Sequence, residues 1–167
     1  PSQITVNPRI LNSWRRCLHD FALDPERRPE PTVVERAELK RRQERCCDLV
    51  DIARAEMTNL YQQVAGSGYA ILLTDQDGVV LNYIGDPMFM GTASRNALQT
   101  GAVWSEQAQG TNGMGTCLVE KQPLIIHQND TKSPAMVPDI RFDMVPAMTA
   151  RSPILAMSFL RDGAMPP

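Results

Sequence analysis

The sequence predicts an α+β domain, an antiparallel sheet flanked by helices, and three observations carry that reading. Apolar residues recur every three or four positions over residues 10–21 and again over 46–64, the spacing of helices with one buried face. At Gly66-Ser67-Gly68 the pattern changes to an apolar run, Tyr69 to Thr74, a tight turn at Asp75 to Gly78, and a second run, Val79 to Ile84, which together read as a hairpin. A further strand, Pro123 to His127, follows the glycine-rich stretch Gly110 to Leu118. With 167 residues, 43% apolar and 22% charged, the chain fits one ordinary domain with appendages.

Taken in order, Asn7-Pro8 opens the first helix, asparagine as cap and proline at the first helical position. Its apolar stripe is Ile10, Leu11, Trp14, Cys17, Leu18 and Phe21, with Arg15, Arg16 and Asp20 expected to face water. Asp24 to Pro31 reads as a linker. Thr32-Val33-Val34-Glu35 has the form of a capping box and begins a helical pattern that runs almost to Gly66. From Cys46 onward Leu49, Val50, Ala53, Met57, Leu60, Tyr61 and Val64 hold nearly heptad spacing. One continuous helix over this stretch would be about 50 Å long, more than a small domain covers, so a break near Lys40 to Arg45 is expected. Arg41, Arg42 and Arg45 are expected on its solvated face. Gly91 to Leu98 reads as another helix, with Ala93, Ala97 and Leu98 inward. The expected divisions are residues 1–30, a helix and linker; 31–66, the long helical segment; 67–130, the core; and 131–167, a tail.

The most informative stretch is GTNGMGTCL, residues 110–118. Gly110, Gly113 and Gly115 permit positive φ and close backbone approach, and Thr111, Asn112 and Thr116 supply short hydrogen-bonding side chains. A phosphate-binding loop requires lysine and a hydroxyl after its last glycine, whereas Thr116 and Cys117 follow Gly115. A dinucleotide fingerprint requires a strand running into the turn, and WSEQAQ is not a strand pattern. The residues are left as a polar backbone cradle facing a small pocket.

Extended to Trp104 through Glu120, the run WSEQAQGTNGMGTCLVE resembles the signature of the amino-terminal sensor of bacterial sigma-54-dependent transcriptional activators of the acetoin-catabolism-regulator type, a GAF domain. ILNSWRRC, residues 10–17, resembles the SW-x-RC element at the start of the same sensors. The hairpin alone would also suit a PAS domain; the order of the later elements fits GAF better. The resemblance implies a small-molecule effector lying between the sheet and residues 104–118. Trp104 would form an apolar wall, Glu106, Thr111 and Asn112 polar anchors, and the helix start near Gly113 a seat for a carboxylate, with Thr116, Cys117 and His127 completing the ligand-binding set. It also implies a homodimer paired through flanking helices. RNA polymerase sigma-54 and DNA would be partners only through an ATPase and a helix-turn-helix reader, neither of which this chain carries. The alternative is a dimerisation or interaction module with a vestigial pocket.

No catalytic set assembles, so no enzyme is expected. His19 and His127 have no serine or cysteine partner at a recognisable spacing. Some GAF domains use cysteines to reduce free methionine sulfoxide, but a buried, inert Cys117 is the favoured reading. His127, Asp130 and Glu106 are too few for a metal site, and no metal or cofactor is expected. Cysteines at 17, 46, 47 and 117 match neither zinc spacing nor a disulfide scaffold, which points to a reducing cytoplasm. No apolar run approaches membrane-helix length. The net charge of −2 hides +3 over the first 47 residues and −5 over the rest, so the amino-terminal part is the part suited to an acidic surface. The opening Pro1 and the resemblance together suggest an N-terminal fragment of such an activator. Beyond Asp130 the resemblance stops. Residues 131–167 hold five of nine methionines and six of thirteen prolines, a density expected to prevent long sheet pairing, with Ser152 to Leu160 the stretch able to close the sheet. Divergence, truncation and a shifted reading frame all fit that change of character.

Overall fold

The computed structural model describes residues 7–26, 29–65, 69–85, 98–122, 124–126, 140–147 and 155–162. Helix α1 (Pro8–Arg15) starts as its sequence predicts: the Asn7 side chain accepts the Arg9 N–H at 3.0 Å and Pro8 stands in the first turn. It then passes into a π-helical turn, Arg16–Asp20, closed by the Phe21 N–H donating to the Arg16 carbonyl at 3.0 Å. The wider turn inserts a residue and rotates the side chains around it. The expected stripe is corrected: Ile10, Ser13 and Cys17, at ordinary helical spacing, are buried, Leu11 and Leu18 are exposed, and Arg16, three residues after Ser13, turns inward.

Helix α2 spans Arg36–Arg45, and the capping box expected at Thr32 to Glu35 does not form. Those residues are extended and paired elsewhere. Val33 bridges Ala102, the Val34 N–H donates to the Gly101 carbonyl at 2.9 Å, and the Val103 N–H donates to the Thr32 carbonyl at 2.9 Å. Cys46, at φ −115° and ψ 21°, separates α2 from α3 (Cys47–Val64), so the long pattern breaks just after its charged stretch. Val50 and Met57 of α3 seat on Ile71 and Leu73 of β1 (Tyr69–Thr74) and on Leu81 of β2 (Val80–Gly85).

The two strands form the expected antiparallel hairpin, with a register shift between Leu73 and Thr74. Its turn is built by Asp75, whose Oδ1 accepts the N–H groups of Asp77 at 2.9 Å and Val79 at 3.0 Å, and by Gly78 at φ +80°. Arg42 closes over this turn, donating to Asp75 at 2.6 Å, Asp77 at 2.8 Å and Glu38 at 2.7 Å. It is therefore not part of a solvated face, unlike Arg41 and Arg45.

Strands β3 (Leu124–Ile126), β4 (Ile140–Ala147) and β5 (Leu155–Asp162) complete a sheet of order β2-β1-β5-β4-β3. All neighbours are antiparallel, and β5 lies at the centre, paired with β1 from Ala156 to Arg161 and with β4 along the whole of β4. Proline density does not prevent this. Pro146 sits opposite Ala156 near the end of β4, past Met144 where the pairing with β3 stops, so it interrupts no ladder on that side. The closing strand anticipated around Ser152 to Leu160 is β5. Along β1 the pleat alternates: Ile71 and Leu73 meet α3, while Ala70, Leu72 and Thr74 are buried on the opposite face. The helix expected over Gly91 to Leu98 lies outside the described residues apart from Leu98, which is buried.

Candidate functional site

Residues 105–120 fold as two short helices joined by a turn at the start of the glycine run. Ser105 caps α4 (Glu106–Gln109), its Oγ accepting the Ala108 N–H at 3.3 Å. Gly110, at φ 71°, turns the chain. Asn112 then caps α5 (Gly113–Glu120), its Oδ1 accepting the Gly115 N–H at 2.9 Å while its Nδ2 donates to the Gly110 carbonyl at 2.9 Å. Of the three glycines in the run only Gly110 uses positive φ. Gly115 is needed for a different reason: a Cβ there would stand 2.6 Å from the Glu106 nitrogen and 2.7 Å from the Trp104 oxygen, both backbone.

Across this unit lies the N-terminal helix, and the two resemblance motifs meet. Arg16 of the π-turn grips Glu106 with two bonds, Nε to Oε2 at 2.7 Å and Nη2 to Oε1 at 2.9 Å, and reaches Glu120 through Nη1 at 2.8 Å. Ser13 Oγ donates to Thr111 Oγ1 at 2.9 Å and accepts from Thr116 Oγ1 at 3.1 Å. The Cys17 thiol is 3.6 Å from Thr111 Oγ1. The apolar part of the contact consists of Ile10 against Leu124, with Trp14 packed beside them.

Burial alone would raise the Glu106 carboxyl, which is only 2% exposed. The paired hydrogen bonds and the charge of Arg16 outweigh that and hold it below the ordinary carboxylate range. Arg16 is in turn pushed up by its bonds to Glu106. Burial pushes the Cys117 thiol up to about 11, and its Sγ donates to the Gln122 carbonyl at 3.2 Å. Cys17 is also raised by burial.

The structure thus brings Trp104, Glu106, Thr111, Asn112, Gly113, Thr116 and Cys117 together on and around α4 and α5, all of them buried. Glu106, Thr111, Asn112 and Thr116 make hydrogen bonds within the protein. His127 lies outside the described residues. Sequence reasoning missed Ser13, Arg16, Cys17 and Glu120 as parts of this site. The signal was present: Ser13, Arg16 and Cys17 all lie within ILNSWRRC, and Glu120 closes the longer run. Among the described residues no group of three or more histidine, cysteine, aspartate and glutamate side chains is placed to hold a metal ion, and no helix is long and apolar enough to cross a membrane.

Among the described residues, a five-stranded antiparallel sheet covered by α3, with two short helices and an N-terminal helix bound to them, defines an α+β domain. The chain belongs to the GAF domain family, whose family model matches residues 48–161. It is 45% identical over 121 residues to the acetoin catabolism regulatory protein of Cupriavidus necator, covering 72% of this chain and 18% of that protein. It is 32% identical over 125 residues to the acetoin dehydrogenase operon transcriptional activator AcoR of Bacillus subtilis, covering 75% of this chain and 20% of the activator. At 28% identity it also resembles the propane 2-monooxygenase operon transcriptional activator MimR of Mycolicibacterium goodii, covering 75% of this chain and 20% of MimR. The chain therefore spans about a fifth of the length of these curated relatives. Among solved structures, a chain of the E. coli DhaR(N)-DhaL complex shares the fold at a TM-score of 0.80 and 17% identity, covering 92% of this chain and 51% of that one.

Proposed function

We propose that this chain is the signal-sensing regulatory domain of a bacterial transcriptional activator. A small molecule shifts it between two conformations and so governs a downstream ATPase and DNA-binding region of the sigma-54-dependent kind. The observation that carries the reading is GAF membership joined to 45% identity with an acetoin catabolism regulator. Control of this type requires a ligand that binds the two conformations unequally.

The seat we assign is the sheet face opposite α3, bounded by residues 104–118. Thr74 Oγ1 is buried without a hydrogen-bond partner among the described residues. An orphaned buried hydroxyl costs on the order of 1–3 kcal/mol, which a ligand carbonyl, carboxylate or hydroxyl would remove. Trp104 supplies apolar wall, and Thr111, Asn112, Gly113, Thr116 and Cys117 frame it, with His127 kept in the set as a ligand contact to be tested. The names of the relatives favour a small oxygenated effector such as a ketone or alcohol. The homodimer pairs through α2 and α3, where Ile52 is 65% exposed.

A thermal-shift screen of small acids, alcohols, ketones and aromatics tests the reading. One chemical class should raise Tm in a saturable way, with about 2.7 kcal/mol of stabilisation at a hundredfold excess over Kd. Absence of any shift across the library would leave the interaction-module reading in its place.

A further inference from the structure

We propose that Arg16 is a positioning residue that locks the N-terminal helix and α5 into one moving unit, so that a displacement of the glycine-run helix is carried into α1. This deepens the sensor reading and rests on it only for what moves α5 in the cell; the mechanical coupling itself follows from the contacts.

Arg16 ties both acids, Glu106 at the start of α4 and Glu120 at the end of α5, to the N-terminal segment. Its planar fork fixes their relative position as well as their charge. Ser13 adds a second tie, bonded at once to Thr111 before α5 and to Thr116 within it. These contacts are directional, whereas the apolar share of the interface rests on Ile10, Leu124 and Trp14. Apolar surfaces slide at little cost; a bidentate ion pair and a doubly bonded hydroxyl do not. Rotating α5 by one residue would break the Thr116–Ser13 and Glu120–Arg16 contacts together. Ser13, Arg16 and Cys17, three and four residues apart, share one helix face, so the segment offers all three to one surface where α1 passes into the π-turn. Downstream, the Gln109 side chain donates to the Glu30 carbonyl at 3.2 Å and Val34 bonds Gly101, so the chain between α1 and α2 is tied to the same unit.

Amide hydrogen exchange on the full chain, without any ligand, tests the coupling in wild type, Arg16→Met, Arg16→Lys and Glu120→Gln. Arg16→Met should speed exchange by at least tenfold in residues 8–20 and by the same factor in 113–120, with the β1–β2 hairpin unchanged. Arg16→Lys should restore part of the protection in both segments. Faster exchange in 8–20 alone, or in neither segment, would overturn the proposal, because a passive cover loosens independently of what it covers. Should Arg16→Met lose the hairpin as well, Glu120→Gln decides: it leaves the Glu106 pair intact, and it supports the lock only if both segments respond by a matching factor. A library that produces no thermal shift would refute the sensor reading while leaving this measurement valid.

Discussion

Glycine 115 shows how a single missing methyl group sets the geometry of the site. Alanine there would gain helix propensity of about 1 kcal/mol, but its Cβ would stand 2.6 Å and 2.7 Å from backbone atoms of Glu106 and Trp104, which cannot swing aside as a side chain can. Overpacking of this kind costs about 1–3 kcal/mol, so the clash wins. Gly115→Ala should lower the urea midpoint with an unchanged m-value, measured by circular dichroism. Cys117 illustrates the opposite case, in which a residue type that suggests chemistry is kept inert by its surroundings. With the thiol pushed up to about 11, roughly one molecule in a thousand carries the thiolate at pH 8. Cys47 is exposed at the start of α3. Timed alkylation followed by peptide mapping should therefore label Cys47 first and Cys117 only when the protein unfolds. Early labelling of Cys117 would show that the region around α5 opens far more than its packing implies.

Elements in this chain were legible where a local signal was strong and unopposed. Asn7-Pro8 starts a helix because capping and proline preference act within three residues, and Asp75 to Gly78 makes a turn because its own side chain bonds the backbone. The capping box at Thr32 to Glu35 misled because backbone pairing with Gly101 to Val103 took the same residues. Arg16 was assigned to solvent because the acids that draw it inward, Glu106 and Glu120, are far away in sequence. On α5 the local signal and the structure agree: Asn112 caps a helix that begins with glycines and has poor propensity of its own. Asn112→Ala removes that cap and also the bond to the Gly110 carbonyl. The loss should be about 1–2 kcal/mol, at the upper end for caps because the site is 1% exposed. Asn112→Asp, which retains the acceptor, should lose less in the same denaturation series; equal losses would mean that the cap bond does not set the helix start.

At the scale of the whole molecule, most of what sequence could not supply is pairing between distant segments. The central position of β5 between β1 and β4 has no local signature, and composition pointed the other way, since the prolines of residues 131–167 counted against strands that pair fully. The contact between residues 13–17 and 104–120 was legible only as two separate motifs. That contact also governs how the fold should respond to acid. Glu106 is held below its ordinary value, so the folded state binds its proton less readily than the unfolded chain does, where a glutamate titrates at about 4.3. Its stabilisation is therefore fully present above the unfolded value and fades as pH falls through the lower folded one. Glu106→Gln removes this titration and leaves Arg16 with Glu120 alone. Breaking one arm of a buried pair costs up to about 3–5 kcal/mol, and the partial exposure of Arg16, at 22%, places the expected loss at pH 7 below that, near 1–3 kcal/mol. Wild type and Glu106→Gln should differ most at neutral pH and converge as pH falls below about 4, because protonated Glu106 in the wild type then resembles glutamine. Urea unfolding between pH 3 and 7 measures this. Parallel curves with a constant gap would show that the Arg16–Glu106 pair adds no pH-dependent stability, and that helix α1 is held by its other contacts, the Arg16–Glu120 bond, the hydroxyl bonds and apolar packing.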